Sequence, residues 1–316
     1  MADEQLLSTI ATPTPETSGE ILDLTHDLGL LTRHKNTLTT GGQLARGLRR
    51  VSESANLVTD NPFILGAEGI WLLRQLVAHD GILLREFLRK VLDTSTATFT
   101  RDDLSQVFAE LVNAAVQAAR DKVPRAALQE AIRFRKLIEE TTKKFGKSDK
   151  NRGPGVLEHR VAPRLEWLVD LGCLSKNGLQ KNSFSYRTCD MTQRLLVELN
   201  EHADSPHCAE QVAIAQWFSN PRWALQRRTL GVSSRRDSIL RAYALLRRPI
   251  GPSPLREVAF ASVIFRKTPS SYEDTRNEAI EMARTTSGAS LSGGRYTREP
   301  ENIYLPDSAL SHLHQQ

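Results

Sequence analysis

The residues best equipped for chemistry in this chain are its arginines. The segment Pro221–Arg248, PRWALQRRTLGVSSRRDSILRAYALLRR, holds eight arginines, one acid (Asp237) and no lysine. A guanidinium is a planar fork of donors that keeps its charge at physiological pH and matches phosphate oxygens two at a time. Arg227, Arg228, Arg235 and Arg236 are therefore candidate phosphate ligands. Trp223 and Tyr243 flank the run and read as inward packing, with Trp217, Phe218 and Trp223 forming a small aromatic core. A second basic stretch runs from Arg120 to Arg164, with 13 Lys or Arg against 6 Asp or Glu. Its KKFGKSDKNRGPG loop carries Lys143, Lys144, Lys147, Lys150 and Arg152. This loop is too polar to fold alone and reads as a basic arm against phosphates.

Catalytic signatures are missing from the sequence. There is no HExxH, GxSxG, Walker A or paired CxxC motif. Gly293-Gly294 is not followed by GK[ST], and His312 and His314 belong to a polar tail. Cys173, Cys189 and Cys208 are odd in number, which fits a reducing cytoplasm better than a disulfide framework. Cys173 and Cys189 read as buried small hydrophobes, not zinc ligands. Glu166 and Asp170 share a helix face and read as solvated. A non-catalytic chain without cofactor or metal is the expectation.

Composition sets the frame. A chain of 316 residues, 40% hydrophobic and 25% charged, has room for two or three small soluble domains. The net charge of +5 and a pI near 9.2 favour a polyanionic partner. No apolar run approaches the ~20 residues of a membrane span. MADEQLLSTI lacks the basic–apolar–small order of a signal peptide. A cytoplasmic protein with no membrane partner is expected.

The elements that must position these residues are clearest from Arg160 onward. Pro163 suits the first turn of a helix, and Leu165, Leu168, Val169 and Leu171 follow at helical spacing. Gly172 is placed for a left-handed cap. Leu174 to Lys176 read as a strand, Asn177-Gly178 as a turn, and Phe184, Tyr186 and Thr188 as a returning strand. A helix begins near Met191. Helix, cap, strand, loop, strand resembles the second half of a winged helix-turn-helix. Glu20–Leu48 repeats the grammar: Asp27-Leu28-Gly29 matches Asp170-Leu171-Gly172, Leu31 matches Leu174, and Gly41-Gly42 opens the next helix. Between them, residues 61–92 read as two apolar helices broken at His79-Asp80-Gly81. Thr100 caps a long helix with Asp102 and Asp103 in its first turn. Towards the C-terminus, helices from Ile239, Pro254 and Ser271 precede two strands around a Gly-rich turn. Helix, helix, helix, hairpin again resembles the winged-helix order.

The expected fold is mainly α with small β-hairpins (α+β), as tandem winged-helix domains joined by helical segments. The divisions fall at 1–60 (a partial winged helix), 61–200 (helical, ending in a winged helix) and 201–316 (a winged-helix-like domain with an Arg-rich lead-in). The resemblance implies DNA binding, on duplex DNA. Arg160 and Arg164 would start the reading helix, Lys176, Lys181, Asn182 and Arg187 would lie on its wing, and Arg295 on the C-terminal wing. The apolar residues of helix 163–171 leave it little polar surface, which favours the wing as the contact. A regulator or a subunit of a DNA-processing complex fits, either as a homodimer or beside an ATPase or nuclease. The alternatives are a protein-interaction scaffold and a plasmid-type replication initiator.

Overall fold

A computed structural model describes residues 38–57, 66–93, 98–120, 136, 164–178, 184–247, 251–293, 299–311 and 313. Within them the chain is mainly helical, with two antiparallel three-stranded sheets. Most of the Glu20–Leu48 stretch and the 143–152 loop lie outside the described residues.

Helix α1 spans Thr40–Ser54, and Thr39 caps it by accepting the Gly42 N–H on Oγ1 at 2.9 Å. Helix α2 is continuous over Gly66–Asp93, 28 residues long. This corrects the expected break at His79-Asp80-Gly81. A mid-helix glycine costs only about 1 kcal/mol, and the turns beyond it bury Leu83, Leu84, Phe87 and Leu88. Packing outweighs the local preference.

Apart from residues 121–163, of which only helical residue 136 is described, two units share one order of described elements. In the first, α2 leads to β1 (Thr98–Thr100) and α3 (Arg101–Arg120), and later to helix α4 at 164–170, β2 (Leu174–Gly178) and β3 (Phe184–Thr188). Thr100 and Asp103 close a reciprocal cap at the start of α3, the Thr100 N–H donating to Asp103 at 2.7 Å. Strand β2 runs through Gly178, two residues beyond its expected end, and pairs with β3 from Leu174↔Thr188 to Gly178↔Phe184. Strand β1 adds to the other edge of β3, giving the order β1-β3-β2.

Helices α5 (Asp190–Glu201), α6 (Cys208–Ser219) and α7 (Ala224–Leu230) follow, with a 3₁₀ turn at Pro221–Trp223. The second unit comprises α8 (Arg235–Leu246), β4 (Ser253–Pro254), α9 (Leu255–Ile264), α10 (Tyr272–Thr285), β5 (Ser290–Gly293) and β6 (Pro300–Tyr304). A short helix, α11, follows at Asp307–Leu310. The second sheet has the order β4-β6-β5, so its first strand also pairs with its third. In both units a left-handed glycine lies between the last helix and the strand, two residues before it: Gly172 (φ 70°) before Leu174, and Gly288 (φ 78°) before Ser290, the latter beyond the Thr286 cap of α10. Positive φ is nearly free only for glycine.

The units are joined through helices. Helix α6 packs on α2 of the first unit and on α9 and α10 of the second, while α1 packs on α2, α8 and α9. Gly47 lets α1 approach α8, since a Cβ there would lie 2.6 Å from Leu245 Cγ. Trp217 and Trp223 are fully buried, their rings 6.1 Å apart, and Tyr243 is buried as the sequence predicts.

Candidate nucleic-acid interface

The Arg-rich segment folds as α7, a tight link and α8, with most of its large apolar side chains turned inward and Leu225, 52% exposed, turned out. Trp223, Leu230, Ile239, Leu240, Tyr243 and Leu246 are buried. That leaves Arg228, Arg235 and Arg236 exposed. Ser234 caps α8 by accepting the Asp237 N–H at 3.2 Å. The link from Gly231 docks on the turn between α9 and α10. Val232 N–H donates to Phe265 O at 2.8 Å, and Lys267 N–H donates to Val232 O at 3.3 Å. Gly231 is needed there: a Cβ would lie 2.5 Å from Arg227 O and 2.8 Å from Lys267 Cγ. This docking draws Lys267, an exposed residue of the α9–α10 turn, into the same neighbourhood as Arg228, Arg235 and Arg236. Lys267 went unread in the sequence because one lysine in a polar turn carries no pattern.

Acids border the same neighbourhood: Asp237 lies in the first turn of α8, Glu273 and Asp274 in that of α10, and Glu278 further along α10 is paired. Arg235, 77% exposed, donates to Glu278 Oε1 at 2.7 Å. Buried Arg266 donates to the other oxygen of Glu278, and to Ser270 Oγ at 2.7 Å and Ser238 Oγ at 3.3 Å. Glu278 of α10 thus faces two guanidinium groups. Arg228, Arg236 and Lys267 have no carboxylate partner among the described residues, so their charge faces solvent.

Other predicted ligands have partners within the chain. Arg227 Nη1 donates to the carbonyls of Trp217 and Asn220, at 3.1 Å for the latter, and closes the end of α6. Burial lowers its pKa. Arg164 donates to Asp80 of α2 at 2.5 Å. Lys176 Nζ donates to both oxygens of Glu166 at 2.8 Å, and Tyr186 OH donates to Glu166 at 2.6 Å. Glu166 therefore ties α4 to the hairpin, which corrects the solvated-face reading. Arg187 is exposed on the outer side of β3, opposite Ser175. Arg160, Lys181, Asn182, Lys143, Lys144, Lys147, Lys150, Arg152 and Arg295 lie outside the described residues.

Neither third helix is basic. Helix α10 carries Glu273, Asp274, Glu278 and Glu281 against Arg276 and Arg284. Arg276 is drawn to Glu299 at 3.0 Å and Arg284 to Glu281 at 3.6 Å.

Metal-capable groups come together, among the described residues, at Glu198, Glu201 and His202. Spacings of three and four along α5 bring them to one face automatically. Burial pushes the Glu198 carboxyl up while His202 pulls it down. The three cysteines are free thiols. Cys173 is fully buried and packs in the core, and burial, then neighbouring Cys189, pushes its thiol up to about 12.

Comparison with family models, with curated proteins and with solved structures found no match.

Proposed function

We propose that this chain is a non-catalytic DNA-binding protein built of tandem winged helices. In this reading it grips duplex DNA through its phosphates, as a regulator or as a subunit of a DNA-processing assembly. The observation that carries the reading is the exposed set Arg228 of α7, Arg235 and Arg236 at the start of α8, and Lys267 of the turn ahead of α10, of which Arg235 is also paired with Glu278. Further support comes from the strand order, in which the first strand pairs with the third in both units.

The mechanism is electrostatic first. Each cation that meets a phosphate releases condensed counterions, so affinity falls as a power of salt concentration. The acids of α10 oppose deep insertion of that helix between phosphate rows. Orientation then rests on the cations beside it, and on Arg187 at the hairpin of the first unit. Titrating the full chain into random-sequence duplex and single-stranded DNA over a salt series tests this. Duplex binding that weakens steeply with salt is expected. No binding at low salt would remove the reading.

One observation favours a second reading. The acidic outer face of α10 suits a docking module for a basic protein surface, with DNA held only loosely by the chain. Binding to a basic partner that survives at salt concentrations abolishing DNA binding would favour it.

A further inference from the structure

A buried ion cluster lies where the two units meet. Arg74 projects from the middle of α2 and is 3% exposed. Its Nε donates to Glu210 of α6 at 2.8 Å, and its Nη1 and Nη2 donate to the two oxygens of Glu257 on α9 at 2.5 and 2.9 Å. The guanidinium carbon lies 4.7 Å from the centre of the Phe260 ring. Glu210, 0% exposed, also accepts from Arg256 Nε at 2.6 Å. Burial works against the Arg74 charge, yet Glu257 and Glu210 hold its pKa above the ordinary value. Tyr272, the first residue of α10, is buried beside the same carboxylate and tilts against the His207 ring at 4.8 Å. One side chain of the first unit thus reaches the connecting helix and the second unit together, close to where α10 begins.

We propose that Arg74 is a positioning residue that fixes the angle between the two units, so that they meet DNA as one rigid body. A bidentate guanidinium–carboxylate pair defines direction as well as distance. Three helices share this one fork, and rotation of either unit would strip a buried charge of its partner, which is costly. The arginine patch of the second unit and Arg187 of the first are then held at a constant offset. A duplex long enough to touch both binds with the advantage of linked sites.

The test uses the full chain with spin labels at Lys90→Cys on α2 and Ala244→Cys on α8, with Cys189 and Cys208 replaced by serine. The variant E257A/R256A removes both anchors on the second unit and keeps the Arg74–Glu210 pair. The parent should give one narrow label–label distance distribution, and the variant a distribution at least twice as wide. R74K keeps the charge but loses the fork, so it should fall between them. It also decides the matter if the double variant does not fold. Equal widths in parent and variants would overturn the proposal.

The DNA arm rests on the proposed function. The double variant should lose about tenfold on a duplex of ~30 base pairs and be unchanged on one of ~10. Equal losses on both lengths would mean general damage and overturn the coupling. A chain that binds no DNA would sink the functional reading alone, because the distance arm still reports on Arg74.

Discussion

In the first unit, the described cations beside α4 are spent internally: Arg164 on Asp80 of α2, and Lys176 on Glu166 of α4 itself. In the second, Arg235 and Arg266 converge on Glu278 while Arg228, Arg236 and Lys267 stay open to solvent. Outside residues 121–163 the order of described elements is the same, and a left-handed glycine precedes the hairpin in both. The difference shows that a shared fold does not fix which surface carries charge. Strand pairing and core packing determine the scaffold, while a few surface arginines determine where a polyanion could be held.

The sharpest way to break the comparison is to attack the ions that join the units and those that lie on one of them. R74M leaves the Glu210 charge buried with only Arg256 beside it, and should cost about 3–5 kcal/mol by chemical denaturation. R276A removes a pair whose Glu299 side chain is 77% exposed, and should cost less than about 1 kcal/mol. Similar losses would show that the junction is no more than another surface contact.

Acid should expose the same cluster. Burial pushes the Glu210 carboxyl up, but Arg74 and then Arg256 more than offset it and hold the group below the ordinary carboxylate range. A depressed carboxylate contributes stability that is full above the unfolded pKa of about 4.3. That contribution is lost as pH falls through the lower folded value. E210Q should flatten the acid limb of the stability profile. An unchanged limb would place the acid sensitivity elsewhere.

The matched glycines give the smallest and most local contrast. G172A and G288A should each cost about 1–2 kcal/mol for a left-handed backbone. Gly172 should cost more, because its Cβ would lie 3.3 Å from Arg222 Cδ, whereas the nearest atom at Gly288 is Pro306 Cγ at 3.6 Å. Thermal denaturation ranks the two, and the opposite order would argue against the tighter turn in the first unit.

Much of this was legible locally. The Gly172 cap, the hairpin that follows it and the helix order of the second unit appear in the sequence as changes of period. The strands Thr98–Thr100 and Ser253–Pro254 did not, because runs of three and two residues have no period to detect. His79-Asp80-Gly81 misled because a glycine advertises a local preference, while the leucines packed around it act through tertiary contacts. Charge partners were the least legible. Arg74 and Glu210 are 136 residues apart, although a lone arginine inside the apolar run IWLLRQLV already signals a buried, paired charge. Arg227 and Arg228 are adjacent in sequence and look alike, yet one caps α6 and the other faces solvent.

We propose that the second unit holds DNA by the cations beside α10. The most direct measurement is the slope of log affinity against log salt for random-sequence duplex, compared between the parent chain and R228A/R235A/R236A/K267A. A slope shallower by about 3–4 is expected, roughly one per cation removed, with unfolding stability little changed. A slope equal to the parent's would contradict it and place any DNA contact elsewhere on the chain.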